Sequence, residues 1–324
     1  MLEIKNLKIH FPVTRGLFRR SVGYVHAVDG VSLKIESGRT LGLVGESGCG
    51  KTTLGRSITG LYKPTEGKVI FKGKNIFEAN RKELWKIRRD LQMIFQDPFE
   101  SLNPRQTIDN ILEEPFIIHN AGAAAQRREK VKDVLRKVGM PQSSLPRFPH
   151  EFSGGQRQRI GIARAIALKP KMIVCDEPVS ALDVSIQSQI LNLLLTLQQE
   201  MNLTYLFISH DLAVVRHISD NIGVMYLGKI VEYCDADELY NNGLHPYTKA
   251  LISAIPVPNP DVIRKKQLLQ GEAPSPIDPP SGCRFHTRCP KAGDICKKKE
   301  PELLNLKTTG INGPHFVACH LAGE

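Results

Sequence analysis

The stretch GESGCGKTT, Gly45 to Thr53, decides how the rest of the chain is read. It follows the apolar run TLGLVG (Thr40 to Gly45), which has the composition of a buried strand, and it opens a helical stretch from Lys51 to Leu61. A glycine-rich turn between a strand and a helix is the context of a phosphate-binding P-loop. Gly45, Gly48 and Gly50 let backbone N–H groups face phosphate oxygens around a tight turn, and the helix N-terminus adds a favourable dipole. Lys51 reaches toward β and γ phosphates, and the Thr52 hydroxyl suits Mg²⁺, with Thr53 as a helper. Ser47 and Cys49 complete the loop, Cys49 as a small spacer.

Outward from this loop, two further stretches carry chemistry. KMIVCDE (Lys171 to Glu177) is an apolar strand ending in Asp176 and Glu177. Beside a P-loop, the aspartate is placed to hold Mg²⁺ and the glutamate to orient or deprotonate a water. In EFSGGQRQR (Glu151 to Arg159), Ser153 with the backbone N–H groups of Gly154 and Gly155 forms a candidate anion site at a helix N-terminus. Taken alone, it reads equally as a helix cap.

Strands alternate with helices over about the first 255 residues, which is the pattern of an α/β domain with a largely parallel sheet. LTYLFISH (Leu203 to His210) is a further buried strand, and TIDNILEEPFIIH and AAAQRREKVKDVLRKVG predict helices in an insert. No apolar run approaches the roughly 20 residues of a membrane helix, and MLEIKNLKIHF alternates like a strand instead of resembling a signal segment. A cytoplasmic chain with reduced thiols is expected. The net charge of +11 permits nucleic acid, an anionic membrane face or polyanionic ligands, and does not choose among them.

The order P-loop, Gln96 in IFQDP, FSGGQ, CDEP, SALD and His210 in ISHD resembles the ATP-binding cassette (ABC) family of transport ATPases. FPVTRGLFRR, AVDGVSL, QDPFESLNPR and HPYTKALISAIP extend the resemblance to the oligopeptide/dipeptide importer branch, to its second ATP-binding subunit. The resemblance implies an α/β P-loop NTPase of ABC type: a RecA-like parallel-sheet core, an N-terminal antiparallel β subdomain, a helical insert subdomain at about 97–165, and a small C-terminal extension. The ATPase domain would span 1–255 and the extension 256–324.

In the sites that this resemblance implies, Gly45, Ser47, Gly48, Cys49, Gly50, Lys51, Thr52 and Thr53 hold the ATP phosphates, while Thr52, Asp176 and Gln96 hold Mg²⁺. Glu177 is the general base and His210 contacts the γ-phosphate. Ser153, Gly154, Gly155 and Gln156 bind the ATP of a partner cassette, and Asp183 links the two sites across the subunit boundary. Phe152 stands where the family most often has Leu. Tyr24, or alternatively Phe18, stacks on adenine. The implied partners are a second ABC ATPase subunit, with a homodimer as the alternative, two transmembrane permease subunits and, indirectly, an extracytoplasmic solute-binding protein. The chain would lie peripherally on the cytoplasmic face of the membrane. The branch also includes nickel, glutathione and oligosaccharide importers, so the cargo stays open. Nucleic acid is not expected as a partner, because cassettes serving it usually carry two cassettes per chain or a long coiled-coil insertion.

After Pro256 the chain turns proline-rich, which suggests a linker, and then bears Cys283, Cys289, Cys296 and Cys319. Four thiolates suit zinc or an iron–sulfur cluster, or the cysteines are unligated. Zinc modules usually pair cysteines two to four residues apart, and this tail has no such pair. Members of the resembled branch with this cysteine pattern are associated with a [4Fe-4S] centre, so a cluster that staples the extension is expected, with Zn²⁺ as the alternative. Cys175 and Cys234 read as small buried residues.

Overall fold

The computed structural model describes residues 1–15, 20–97, 101–255, 269, 271–306 and 313–322, with no side chains described at 15, 20 and 21. Most of the expected linker, Phe18 and the centre of QDPFESLNPR lie outside the described residues. The chain forms two compact units interleaved in sequence. One, here called the P-loop unit, comprises 2–34, 40–70 and 209–324; the other, the signature unit, comprises Met1, 35–39 and 71–208.

In chain order the strands are β1 (Leu2–Arg15), β2 (Arg20–Ile35), β3 (Thr40–Val44), β4 (Glu66–Phe71), β5 (Lys74–Asn75) and β6 (Leu91–Ile94). They continue as β7 (Met172–Asp176), β8 (Thr204–Ile208), β9 (Asn221–Tyr226), β10 (Lys229–Asp235), β11 (Leu304–Asn305) and β12 (Phe316–Val317).

In the P-loop unit, β2, β1 and β4 lie side by side as the antiparallel β subdomain. Strand β1 keeps the alternation its sequence shows, but with one phase change. Leu2 and Ile4 are buried before Asn6, and Leu7 and Ile9 after it. Asn6 takes φ 44°, a left-handed conformation that asparagine tolerates better than most residues, and this shifts the inward face by one position. The same unit pairs β3 with β9 in parallel, β9 with β10 antiparallel, β10 with β12 antiparallel, and β12 with β11 antiparallel. All five residues of β3 are buried, as a strand covered on both faces requires. The helix Leu212–Ile218 packs so closely that a Cβ on Gly42 would come 2.2 Å from Val215 Cγ1.

In the signature unit, β6, β7 and β8 run parallel, with Asp176 aligned to Ile208 at the carboxyl end of the β7–β8 pair. β7 and β8 are buried throughout. The insert folds as the predicted helices Ile108–Ile118 and Ala124–Lys137, and helices Gly154–Ile166 and Val184–Met201 follow. The Tyr205 hydroxyl donates to the Leu194 carbonyl at 3.0 Å, which satisfies a buried polar group between sheet and helix.

Candidate functional site

β3 delivers the chain into the P-loop, whose shape depends on glycine. A Cβ on Gly45 would come 2.1 Å from the Met225 carbonyl oxygen, and one on Gly50 would come 1.9 Å from that of Ala27. Gly50 also holds φ 108°, which side chains rarely adopt. Helix Lys51–Ile58 starts without a side-chain cap, so its first N–H groups suit an anion. Lys51 is only 4% exposed, and its Nζ donates to the carbonyls of Gly45 at 2.7 Å and Glu46 at 3.0 Å. Cys49 is buried beside it; burial raises the thiol pKa and Lys51 offsets this in part. Ser47 and Gly48 are exposed at the crest of the loop, and Thr52 and Thr53 are half-buried.

Two more candidates belong to this unit. Tyr24 stands exposed on β2. His210, also exposed, follows Ser209, whose N–H donates to the Leu43 carbonyl at 3.1 Å. Asp211 then caps the next helix by accepting the Ala213 N–H at 2.8 Å.

The remaining candidates belong to the signature unit. Asp176 is fully buried at the end of β7. Glu177 takes the left-handed φ of 45°, and its N–H donates to the Ile208 carbonyl at 3.0 Å. Strain of this kind in a non-glycine residue persists where the surroundings impose it. Gln96 Nε2 donates to Glu177 Oε2 at 2.9 Å, so two motifs 81 residues apart meet in one hydrogen bond.

Ser153 forms a capping box: the Gln156 N–H donates to Ser153 Oγ at 3.4 Å, and the Ser153 N–H donates to Gln156 Oε1 at 3.0 Å. Gly155 is required by packing, because a Cβ there would meet Ile186 Cγ2 at 2.5 Å. Phe152 is buried under the Arg147 guanidinium, 4.4 Å from its ring centroid, and serves as an apolar anchor. Asp183 caps helix Val184–Met201 and accepts the Ile186 N–H at 2.9 Å; that bond and the Ser185 hydroxyl lower its pKa.

The extension is held through side chains that reach far along the chain. Phe285 is buried among Tyr226, Tyr247 and His245, with ring centroids 5.2, 5.4 and 5.6 Å away. Arg284 donates to Asp29 Oδ2 and to the Leu227 carbonyl. Arg288 donates to both carboxylate oxygens of Glu46, at 2.8 and 3.1 Å. His315 Nε2 lies 2.7 Å from Glu232 Oε1, both side chains being buried. None of these partners has a spacing signal in the sequence.

Comparison with known proteins then places the chain. The family model described as ABC transporter matches residues 28–180, and that described as oligopeptide/dipeptide transporter, C-terminal region, matches 231–296. The oligopeptide transport ATP-binding protein AppF of Bacillus subtilis is 57% identical, covering 99% of this chain and 97% of that protein. The oligopeptide transport ATP-binding protein OppF of Salmonella typhimurium is 56% identical, with 94% and 92% covered. The di/tripeptide transport ATP-binding protein DppF of Pseudomonas aeruginosa is 50% identical, with 100% and 98% covered. The dimeric, post-hydrolysis structure of the ATP-binding cassette MJ0796 bound to ADP and Pi superposes with a TM-score of 0.65 at 30% identity, covering 73% of this chain and 99% of that one.

These relatives correct the expected [4Fe-4S] cluster. They are ABC ATP-binding proteins whose names carry ATP binding and peptide transport and no iron–sulfur centre. Burial raises the thiol pKa of Cys283 to about 11 and also raises those of Cys289 and Cys319. The zinc alternative has no support from the relatives either. Among the described residues no three of these cysteine sulfurs lie within 4.8 Å of one another. The group that does meet that spacing is His10, His26 and Asp29, where Arg284 and Lys229 already place positive charge on the aspartate. Cys283 and Cys296 instead contribute backbone: the Cys283 N–H donates to the Cys296 carbonyl at 2.8 Å.

With a glycine-shaped P-loop, a Gln96–Glu177 pair and relatives that match along nearly its whole length, the chain belongs to the ABC transporter family of ATPases, in the branch that carries the oligopeptide/dipeptide transporter C-terminal region.

Proposed function

We propose that this ATPase powers the import of oligopeptides or dipeptides through a membrane permease, and that its chemistry centres on Glu177. The hydrogen bond from Gln96 to Glu177 carries the reading of the site, because it fixes the carboxylate of the candidate base through a residue of a second motif. The names of the relatives support the peptide cargo.

The residues present fit the groups they would hold. The glycine cradle of Gly45, Gly48 and Gly50 with Ser47, Cys49 and Thr53 would receive the ATP phosphates, and the buried Lys51 would exchange its carbonyl partners for phosphate oxygens. Thr52, Asp176 and Gln96 would hold Mg²⁺, which when bound offsets phosphate charge. Glu177 takes a proton from the attacking water as the bond to the γ-phosphorus forms, and the bond to the leaving ADP breaks. His210 steadies the γ-phosphate oxygens. Tyr24 supplies an exposed ring for adenine.

Residues 1–255 form the ATPase domain and 256–324 its extension. Ser153, Gly154, Gly155 and Gln156 would face the nucleotide of a second ATPase subunit in a heterodimer, with Asp183 at the boundary. Two transmembrane subunits provide the path, and a solute-binding protein outside selects the cargo. No helix among the described residues is long and apolar enough to cross a membrane, and the chain would rest on the cytoplasmic face of its permease.

The test is Glu177→Gln in the reconstituted transporter. ATP binding should persist while hydrolysis falls about 10³-fold, within the range of general-base removal. Hydrolysis near the parent rate would refute the base, and stimulation of the parent by nickel, glutathione or sugar in place of peptide would refute the cargo.

A further inference from the structure

Glu46 is the least explained residue of the P-loop. Its backbone does much of the work of holding the loop: its carbonyl accepts from Lys51 Nζ at 3.0 Å and from the Cys49 N–H at 3.3 Å, and its N–H donates to the Tyr247 hydroxyl at 2.8 Å. Where Glu46 sits therefore determines where one of the carbonyls holding Lys51 sits. Its side chain is gripped from the far end of the chain. Arg288, 242 residues away, donates from Nη1 and Nη2 to its two carboxylate oxygens at 2.8 and 3.1 Å. This two-pronged geometry fixes direction as well as distance, which a lysine cannot do.

Arg288 is itself well anchored. Its side chain is 8% exposed, and its guanidinium lies 6.0 Å from the Tyr226 ring centroid. Tyr226 packs on Tyr247 and Phe285, at 4.8 and 5.2 Å. A second route from the extension reaches the same loop. Arg284 donates to the Leu227 carbonyl, and the N–H of the next residue, Gly228, donates to the Cys49 carbonyl at 2.8 Å. Two arginines of one segment thus converge on a loop in which Gly45 and Gly50 leave no room for a side chain.

We propose that the C-terminal extension positions the P-loop for nucleotide through the Arg288–Glu46 ion pair, so that Arg288, acting through Glu46, sets the affinity for ATP. This rests on the reading of Gly45 to Thr53 as the phosphate cradle. Arg288 is a positioning residue. Losing it lets the Glu46 backbone drift and makes binding reorganise the loop, which raises KM while leaving the turnover of a bound nucleotide alone.

The experiment measures KM and kcat for ATP, together with the melting temperature, on the full chain. Arg288→Ala and Glu46→Gln should each raise KM about tenfold, as expected for a lost charged hydrogen-bonding pair, with kcat within about twofold of the parent. The double variant should be no worse than either single one, because both remove the same contact. Arg288→Lys should recover part of the affinity. A lowered melting temperature with unchanged KM, or single effects that multiply in the double variant, overturns the proposal. If Arg288→Ala does not fold, Glu46→Gln decides the matter, since it keeps the shape of the side chain and removes only its charge. Lys51→Ala serves as the control on the underlying reading: undiminished ATP binding there would dismiss the phosphate cradle itself, whatever the Arg288 variants do.

Discussion

The P-loop and the C-terminal extension are both short, irregular segments, and they are held in opposite ways. The P-loop is shaped from within, by backbone. Gly45 and Gly50 touch neighbouring carbonyls where a methyl group would not fit, and Lys51 bonds to carbonyls five and six residues before it. The extension is shaped from outside, by side chains. Arg284 reaches Asp29 across 255 residues, Arg288 reaches Glu46 across 242, and His315 reaches Glu232 across 83. A segment of the first kind tolerates no added atom, whereas one of the second kind depends on a few anchors. Damage to the loop should therefore appear in nucleotide binding, and loss of a packing anchor of the extension in stability. Loss of Arg288, which reaches the loop, should appear in nucleotide affinity.

The largest effect that separates them is expected at Phe285. Truncation to Ala removes a fully buried ring from among Tyr226, Tyr247 and His245, and should cost about 4 kcal/mol. Calorimetric unfolding measures it, and an unchanged melting temperature would mean that the ion pairs alone hold the extension. Next comes Lys51→Ala, which should weaken ATP binding about 100-fold, as for loss of charged hydrogen bonds, with the far-ultraviolet circular dichroism preserved. Titration calorimetry reads the affinity, and a collapse of secondary structure would erase the distinction between the two regions.

The smallest effect is one of pH. Burial holds the His245 imidazole at about 4, against an opposing pull from Glu232, and its Nδ1 accepts the Tyr247 N–H at 3.1 Å, which the neutral ring alone can do. The folded-state pKa is lower than the unfolded one, so the unfolded chain binds the proton first as pH falls. The stability is fully present above about pH 6.5 and drains away toward about pH 4, with roughly 2 kcal/mol lost by about pH 5. Denaturant unfolding at several pH values should show a slope that His245→Gln reduces. An unaltered slope would assign the titration to another group.

Much of this was legible beforehand, for a physical reason. TLGLVG, KMIVCDE and LTYLFISH are continuous apolar runs because their strands are covered on both faces, and the P-loop announces itself because its function needs glycine at fixed backbone positions. Gln96 and Glu177 could each be named from local motifs, but their hydrogen bond could not, since it depends on the chain returning after 81 residues. Glu46 and Arg288 carry no periodicity or spacing that links them. The cysteines misled for the converse reason. Four thiols in one tail look like a ligand set, but spacing in sequence names no ligand, and the relatives do not carry the cluster into their names.

The β10–β12 pairing has a consequence for how this protein behaves in company. β10 is a seven-residue strand, and the two-residue β12 lies on it with Val317 opposite Glu232, followed by the equally short β11. A sheet that ends in such small strands offers little for a stranger to zip onto. A chain truncated before His315 would bare the donors and acceptors of β10, and strip the Glu232 carboxylate of its imidazole partner. Such a chain should stick to copies of itself, because β12 no longer occupies the edge of β10.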